Sequence, residues 1–289
     1  MKEFPLPVRV TGPGSQPVDG AELQYLAMPR EMNTFRMPIV PESVDAQPLA
    51  EARDALASLL QEMQRWNPAD NPHGPRRDLA GMSAAALAIT NQMLGEGEVS
   101  VRVDGERRFL IQESVFTGLW RVCARDGDGA LTGDWIEAGT MPRVVGEAAR
   151  QAATALVGDV AIPPGAMNSP ALIAEIVAHM RERRPNGATH VINLTLFPMT
   201  PDDHQVLDLA LPIGPVAIMS RGFGNCRVTS TGTRDVWRVQ YFNNMNTLIL
   251  NTIEIVDLPE VTLAAVEDLE DTRVRLSDLI DWMGESWAR

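Results

Sequence analysis

The chain has 289 residues, of which 45% are hydrophobic and 22% charged, and its formal net charge is −13. This composition is typical of a globular protein with a sizeable core, and the acidic balance argues against nucleic-acid binding, which depends on clustered Lys and Arg. No apolar run approaches the roughly 18–20 residues that span a bilayer, and the acid and prolines near the start are unlike a secretory signal, so we expect a cytoplasmic protein.

Residues 1–46 are rich in Pro and Gly and have neither a helical nor an alternating apolar period. Proline disfavours helices and central strands. We therefore expect an extended N-terminal arm, which packs across the core at Phe35 and Met37.

The first unit, residues 47–162, begins with a predicted helix over 49–66, where apolar residues recur at helical spacing. Ser83 is a candidate N-cap of a short second helix. Alternating apolar residues then predict four strands, at 99–103, 109–114, 119–124 and 131–136. Asp104-Gly105 indicates a two-residue hairpin, and a closing helix is expected after Pro142.

The second unit, residues 163–289, follows the same order. It has a predicted helix over 171–183, a short helix capped by Thr200 and a closing helix after Pro259. Its strands are predicted at 190–197, 216–220, 226–230, 236–242 and 247–255.

A constant offset of 117 residues relates the two units without a gap: Trp120 corresponds to Trp237, and Pro142 to Pro259. The other matched landmarks are Met82/Met199, Leu94/Leu211, Gly97/Gly214, Val99/Val216, Gly105/Gly222, Leu131/Leu248 and Ile136/Ile253. Such a register indicates an internal repeat. We predict an α+β fold made by tandem duplication of a helix–strand–helix–four-stranded antiparallel sheet–helix unit, with the copies related by a pseudo-two-fold axis.

Motifs of common catalytic and cofactor sites are missing from the sequence, which has no GxGxxG, P-loop or GxSxG pattern. The chain has only two cysteines, which excludes a disulfide scaffold, and they form no CxxC pair of the kind found in zinc or thioredoxin-type motifs. The histidines have no HxH or HxxxH spacing, and we expect structural or exposed positions for all four: His73, His179, His190 and His204. We therefore predict no catalytic residue, cofactor or metal.

The second unit departs most from the first at two predicted turns, which we expect to lie side by side at one end of the sheet. We call this candidate interaction site the turn surface. Its predicted residues are Arg221, Gly222, Phe223, Gly224, Asn225, Cys226, Arg227, Gln240, Tyr241, Phe242, Asn243, Asn244 and Asn246. Cys226 has two interpretations: a reactive thiol whose pKa the neighbouring Arg227 lowers, or a small buried hydrophobe.

A second feature with two interpretations is the acidic run Glu267-Asp268-Leu269-Glu270-Asp271. It is typical of a solvated helix face. It also suits a docking surface for a basic partner.

Long segments of the second unit resemble the HupH/HyaF family of hydrogenase expression/formation proteins. The resemblance spans nearly the whole chain and is densest over residues 211–280. It rests on Leu211-Pro212-Ile213-Gly214-Pro215-Val216, the run 220–231, Val236-Trp237-Arg238-Val239-Gln240-Tyr241-Phe242-Asn243 and Leu248-Ile249-Leu250-Asn251-Thr252-Ile253-Glu254. Phe223 departs from the family, which often has Tyr there.

The resemblance implies an accessory protein for maturation of membrane-bound uptake nickel–iron hydrogenases, without catalytic residues to carry over. It implies action on the iron–sulfur small-subunit precursor before twin-arginine export, with a thioredoxin-like chaperone as a possible partner. The acidic surface would suit an Arg-containing signal peptide. The alternative is a thiol- or cluster-handling factor that uses Cys226, and a structural hydrogenase subunit is a weaker third hypothesis.

Overall fold

The computed structural model of the chain describes residues 45–154, 160–222 and 224–285. All but the last two residues of the predicted N-terminal arm therefore lie outside the described residues, as do Phe35, Met37 and Phe223. No helix among the described residues is long and apolar enough to cross a membrane.

The first half contains three helices and five strands. They are α1 (Ala46–Arg65), β1 (His73–Asp78), α2 (Ala84–Leu94), β2 (Val99–Val103), β3 (Arg108–Glu113), β4 (Leu119–Arg125), β5 (Leu131–Gly139) and α3 (Arg143–Gln151). The helix predicted at 49–66 and the cap at Ser83 are confirmed, because Ser83 Oγ accepts a hydrogen bond from Ala86 N.

The second half has the same number of helices and strands. They are α4 (Ser169–Glu182), β6 (His190–Asn193), α5 (Pro201–Ala210), β7 (Ile213–Ser220), β8 (Asn225–Thr231), β9 (Val236–Phe242), β10 (Leu248–Ile255) and α6 (Val266–Glu285). The predicted Thr200 cap is confirmed as a capping box with Asp203, which satisfies backbone N–H groups at the start of α5.

All ten strands form one antiparallel sheet in the order β1-β5-β4-β3-β2-β7-β8-β9-β10-β6. The mixed α+β class predicted from the sequence is confirmed. The halves meet where β2 pairs with β7, and the central partners are Val101 and Ile218. These two residues are 117 apart in sequence. Counted inward from its edge, each half has its five strands in the same order: first, fifth, fourth, third and second.

Apolar residues form three buried clusters on the two faces of the sheet. On one face, α1, α2 and α6 pack over Leu119 and Ile136 in the first half, and α4 and α5 pack over Ile253 in the second. The opposite face buries Trp120 and Trp237 together with residues of α3. Alternation of side chains along each strand places the two sets on opposite faces.

The helix α6 covers the first half of the sheet although it follows the second half in sequence. Leu276, Ile280 and Met283 are buried in the same cluster as Leu56 of α1. The sequence predicted a closing helix for each unit, but α6 contributes to the core of the other half. Its acidic first turn, including Glu267 and Asp268, is exposed.

Hydrogen bonds recur between the halves at the spacing of 117 residues. Trp120 Nε1 donates to Gly139 O at 2.9 Å, and Trp237 Nε1 donates to Val256 O at 3.2 Å. Asp126 N donates to Ala130 O in the first half, as Asn243 N does to Thr247 O in the second. Likewise, Gly139 N donates to Gly118 O in the first half, as Val256 N does to Asp235 O in the second. The buried indoles therefore have the same backbone partner in both halves.

Each half also holds a mostly buried arginine beneath its short helix. Arg121 binds the carboxylate of Asp134 and the side-chain oxygen of Asn91, whereas Arg238 Nη1 lies 2.6 Å from Asp208 Oδ1. Under the offset, the corresponding positions are Asn91/Asp208 and Asp134/Asn251. The acid and the amide have exchanged places around the same arginine.

Two local predictions were wrong. Val103 pairs with Phe109, so the β2–β3 connection is longer than the two-residue hairpin predicted at Asp104-Gly105. Asp104 instead has partners outside this turn: its N–H donates to Pro215 O, and its carboxylate lies 2.9 Å from Arg102 Nε. The strand predicted at 190–197 ends at Asn193, because the side chain of Asn193 accepts from Thr195 N and starts a 3-10 turn.

Candidate functional site

The two turns predicted to form the turn surface lie at the same end of the sheet. The β7–β8 and β9–β10 connections follow strands that run in the same direction, and Asn225 at the start of β8 pairs with Phe242 at the end of β9. This register brings the two turns next to each other.

The β9–β10 turn is held by its first residue. The side-chain oxygen of Asn243 accepts from Met245 N and Thr247 N, both at 2.9 Å. Asn246 has a φ of +57°, a left-handed conformation that Asn adopts more readily than most residues. Met245 at the tip of this turn is 85% exposed.

The β7–β8 turn contacts the first half. Arg221 N donates to Glu98 O at 3.2 Å, and a Cβ at Gly222 would collide with the Glu98 carboxylate. Gly224 has a φ of +94°. A side chain at Gly224 would therefore strain the backbone of this turn, whereas one at Gly222 would displace the flexible Glu98 side chain.

Cys226 is fully buried in the core. Burial raises the pKa of its thiol to about 11, despite the hydrogen bond from the Tyr241 hydroxyl. Since Arg227 follows in the strand, its side chain extends from the other face, and its guanidinium carbon lies 5.4 Å from the centre of the Phe242 ring. Of the two interpretations of Cys226, the structure therefore agrees with the small buried hydrophobe, and the alternative of a thiol pKa lowered by Arg227 is wrong.

The predicted site residues thus divide between the two faces and the turns. Cys226 and Tyr241 face the tryptophan-containing core, while Arg227 and its cross-strand partner Gln240 lie on the opposite face. Turn residues Gly222, Gly224, Asn244 and Asn246 are exposed.

Exposed apolar side chains at this end of the sheet were missed by sequence reasoning. β6 runs antiparallel to β10, so the residues after Asn193 lead toward the turn surface, and Asn251 N donates to Thr195 Oγ1. Leu196 is 77% exposed, and Ile249 at the start of β10 is 56% exposed. Together with Met245 they are exposed apolar side chains at this end of the sheet.

A cavity of about 300 Å³ lies in the first half, beside the start of α3. Arg76 stacks 3.7 Å over the Trp135 ring, and Arg107 and Arg143 also line the cavity. The buried carboxylate of Glu137 accepts from Trp135 Nε1 and Arg143 N. The sequence carried no signal for this convergence, because its residues come from four separate elements.

Two of the four histidines lie together, although no HxH or HxxxH spacing in the sequence indicates a pair. The rings of His179 in α4 and His190 in β6 stack with centroids 3.4 Å apart, and His190 Nε2 lies 2.8 Å from Glu175 Oε1. The Glu175–His179 spacing of four residues places both side chains on one side of the helix.

Comparison with known proteins identifies relatives over nearly the full length. The protein-family sequence model described as "HupH hydrogenase expression protein, C-terminal conserved region" matches residues 49–157 and again residues 166–283. The chain is 43% identical to the hydrogenase expression/formation protein HoxQ of Cupriavidus necator, over 98% of this chain and 99% of that protein. It is 40% identical to HupH of Rhodobacter capsulatus, over 97% and 98%.

It is also 34% identical to the hydrogenase-1 operon protein HyaF of Escherichia coli, over 95% of this chain and 96% of that protein. A solved structure, the hydrogenase expression protein HupH from Thiobacillus denitrificans, aligns at 24% identity over 39% of this chain and 95% of that chain. Its TM-score of 0.37 is too low to support a structural comparison.

Proposed function

The chain belongs to the HupH family of hydrogenase expression proteins, and from this membership we propose that it binds the iron–sulfur small-subunit precursor of an uptake nickel–iron hydrogenase. In this proposal, binding takes place in the cytoplasm before export, and a thioredoxin-like chaperone is a second partner. The proposed role is that of an accessory protein in hydrogenase maturation, and it is supported by relatives that are named hydrogenase expression/formation proteins.

The observation that carries the binding proposal is the composition of the turn surface. Met245 lies in the asparagine-rich β9–β10 turn and Leu196 follows β6 at the same end of the sheet, and both are mostly exposed apolar side chains. Protein–protein interfaces typically combine apolar anchors with a polar rim, and Met is enriched in them. Exposed apolar groups at one end of a sheet are candidate anchors for a partner.

The tandem duplication also belongs to this proposal. It is supported by the two matches of one family model, at 49–157 and 166–283, and by hydrogen bonds that recur at a spacing of 117 residues. The two halves differ at the turn surface, where the first half has Asp128 in place of Met245. We therefore assign partner binding to the second half and a scaffold role to the first.

Binding of the purified small-subunit precursor, with its leader, to immobilised protein tests the proposal. The variant carries Leu196→Asp and Met245→Asp together. Each anchor contributes on the order of 1–2 kcal/mol if it is central to the interface, so we expect the Kd to rise at least about tenfold.

The matched control carries Leu131→Asp and Ile213→Asp, which lie at the end of the sheet opposite the turn surface. These side chains are 52% and 68% exposed, and the net charge changes equally. We expect the control to bind within about twofold of the unmodified protein, since surface changes outside an interface have small effects. Absence of precursor binding by the unmodified protein would sink the proposed function; equal weakening in both variants would rule out the turn surface.

A further inference from the structure

A cluster of metal-ligating side chains lies between α4 and β6, away from the turn surface. One ligand atom from each of Glu175, His179 and His190 lies within 4.8 Å of the other two. The side chains of Glu175 and His190 are 40% and 31% exposed. The cluster is therefore accessible from solvent without being freely mobile.

The geometry of the pair already formed suits a shared ion. His190 Nε2 and Glu175 Oε1 are 2.8 Å apart, and two ligands bonded at about 2.0–2.1 Å to one tetrahedral zinc ion lie about 3.3 Å apart. A metal ion can therefore replace the proton between these atoms after a small movement. His179 has a ligand nitrogen within 4.8 Å of both other ligand atoms, and its side chain must rotate from the stacked position to direct that nitrogen at the ion.

The donor set also limits the kind of ion. Two imidazoles and one carboxylate suit zinc, nickel, cobalt and copper, whereas calcium and magnesium prefer oxygen-only sites. Three protein ligands leave at least one coordination position for water or for a partner's side chain.

The same position in the first half lacks this donor set. The residues that correspond to Glu175, His179 and His190 are Ser58, Glu62 and His73. Ser58 and Glu62 replace a carboxylate and an imidazole, and this leaves His73 without a second histidine. The cluster is therefore particular to the second half.

We propose that Glu175, His179 and His190 form a binding site for one divalent first-row transition-metal ion, with Zn²⁺ as the reference ligand. The site is separate from the turn surface: His190 pairs with Ile255 at the far end of β10, while the turns lie at the near end. Metal binding therefore does not depend on the proposed binding of the precursor.

Titration of the untagged, metal-free protein with Zn²⁺ by isothermal calorimetry tests the site, and Co²⁺ supplies an absorption spectrum that reports nitrogen ligation. We expect one equivalent per chain. The variants His179→Gln, His190→Gln and Glu175→Gln should each weaken binding at least about tenfold, because each removes one ligand.

His73→Gln and His204→Gln are the matched controls, since these are the other two histidines of the chain. They should bind Zn²⁺ as the unmodified protein does. Circular dichroism of every metal-free variant checks the fold, and a zinc-dependent rise in Tm should occur in the controls and be lost in the three ligand variants. No saturable binding, or an equal loss in His73→Gln, would overturn the proposal.

Discussion

The exchanged acid and amide around Arg121 and Arg238 lead to a quantitative prediction. Arg121 and Asp134 are 14% and 8% exposed, and removal of one partner from a buried ion pair costs about 3–5 kcal/mol. Because Arg121 keeps its bond to Asn91, we expect Asp134→Asn to lower the free energy of unfolding by about 2–4 kcal/mol.

Adding Asn91→Asp to Asp134→Asn recreates in the first half the arrangement of the second. Asn91 is exposed, so an acid there is better solvated than Asp134 and restores only part of the loss. We expect the double variant to recover at least about 1 kcal/mol, which is a coupling typical of residues that share a partner. Asn91→Asp alone should change stability by about 0.5 kcal/mol or less, as exposed charges usually do.

Urea unfolding at pH 7, followed by tryptophan fluorescence, measures all four proteins of this cycle, and equal slopes against urea validate the comparison. The mirrored change, Asn251→Asp, places a carboxylate near Arg238, whose Nε and Nη2 are buried without a hydrogen-bond partner among the described residues. It should raise stability. The reasoning is refuted if the double variant is no more stable than Asp134→Asn alone.

Two further predictions concern buried titratable groups. Cys226 is fully buried and its pKa is raised to about 11, so iodoacetamide at pH 7.5 should leave it unmodified in the native protein and modify it in urea. Rapid alkylation of the native protein would contradict the burial of Cys226 in the core. The variant Cys226→Ser should retain small-subunit maturation. Burial raises the pKa of Glu113 to about 7 and outweighs the hydrogen bonds from Gly118 N and Val99 N, which lower it. As pH rises from about 4.5 to 7, ionisation of Glu113 therefore lowers the free energy of unfolding by up to about 3 kcal/mol. The difference in free energy of unfolding between Glu113→Gln and the unmodified protein should therefore increase in favour of the variant from about pH 4.5 to 7 and be constant above pH 7. The same change at the exposed Glu106 should give a difference that does not depend on pH.

Local signals made most of the elements predictable. The caps at Ser83 and Thr200 depend on a side chain and an N–H three residues away, and alternating residues set the strands that precede and follow each turn. The strand 236–242 was predicted with the bounds it has. The errors arose where a side chain competed with the local pattern, as Asn193 does when it ends β6.

The adjacency of the two turns was predictable for the same reason. Strand direction and turn positions follow from the sequence, so the two turns were expected side by side, and the register of Asn225 with Phe242 agrees. The environment of Cys226 did not follow, because its two chain neighbours point away from it and its burial comes from other strands. A residue's neighbours in the chain do not determine its pKa.

The sequence by itself determined the mixed α+β class, the helices and strands and the offset of 117 residues, because these depend on residue types and their spacing. Only the tertiary structure decided that β2 pairs with β7, that α6 covers α1 and that His179 meets His190. These contacts join segments whose separate patterns are compatible with several partners. Burial of apolar surface by the whole chain selects among those partners, and it acts only when all the elements are packed together.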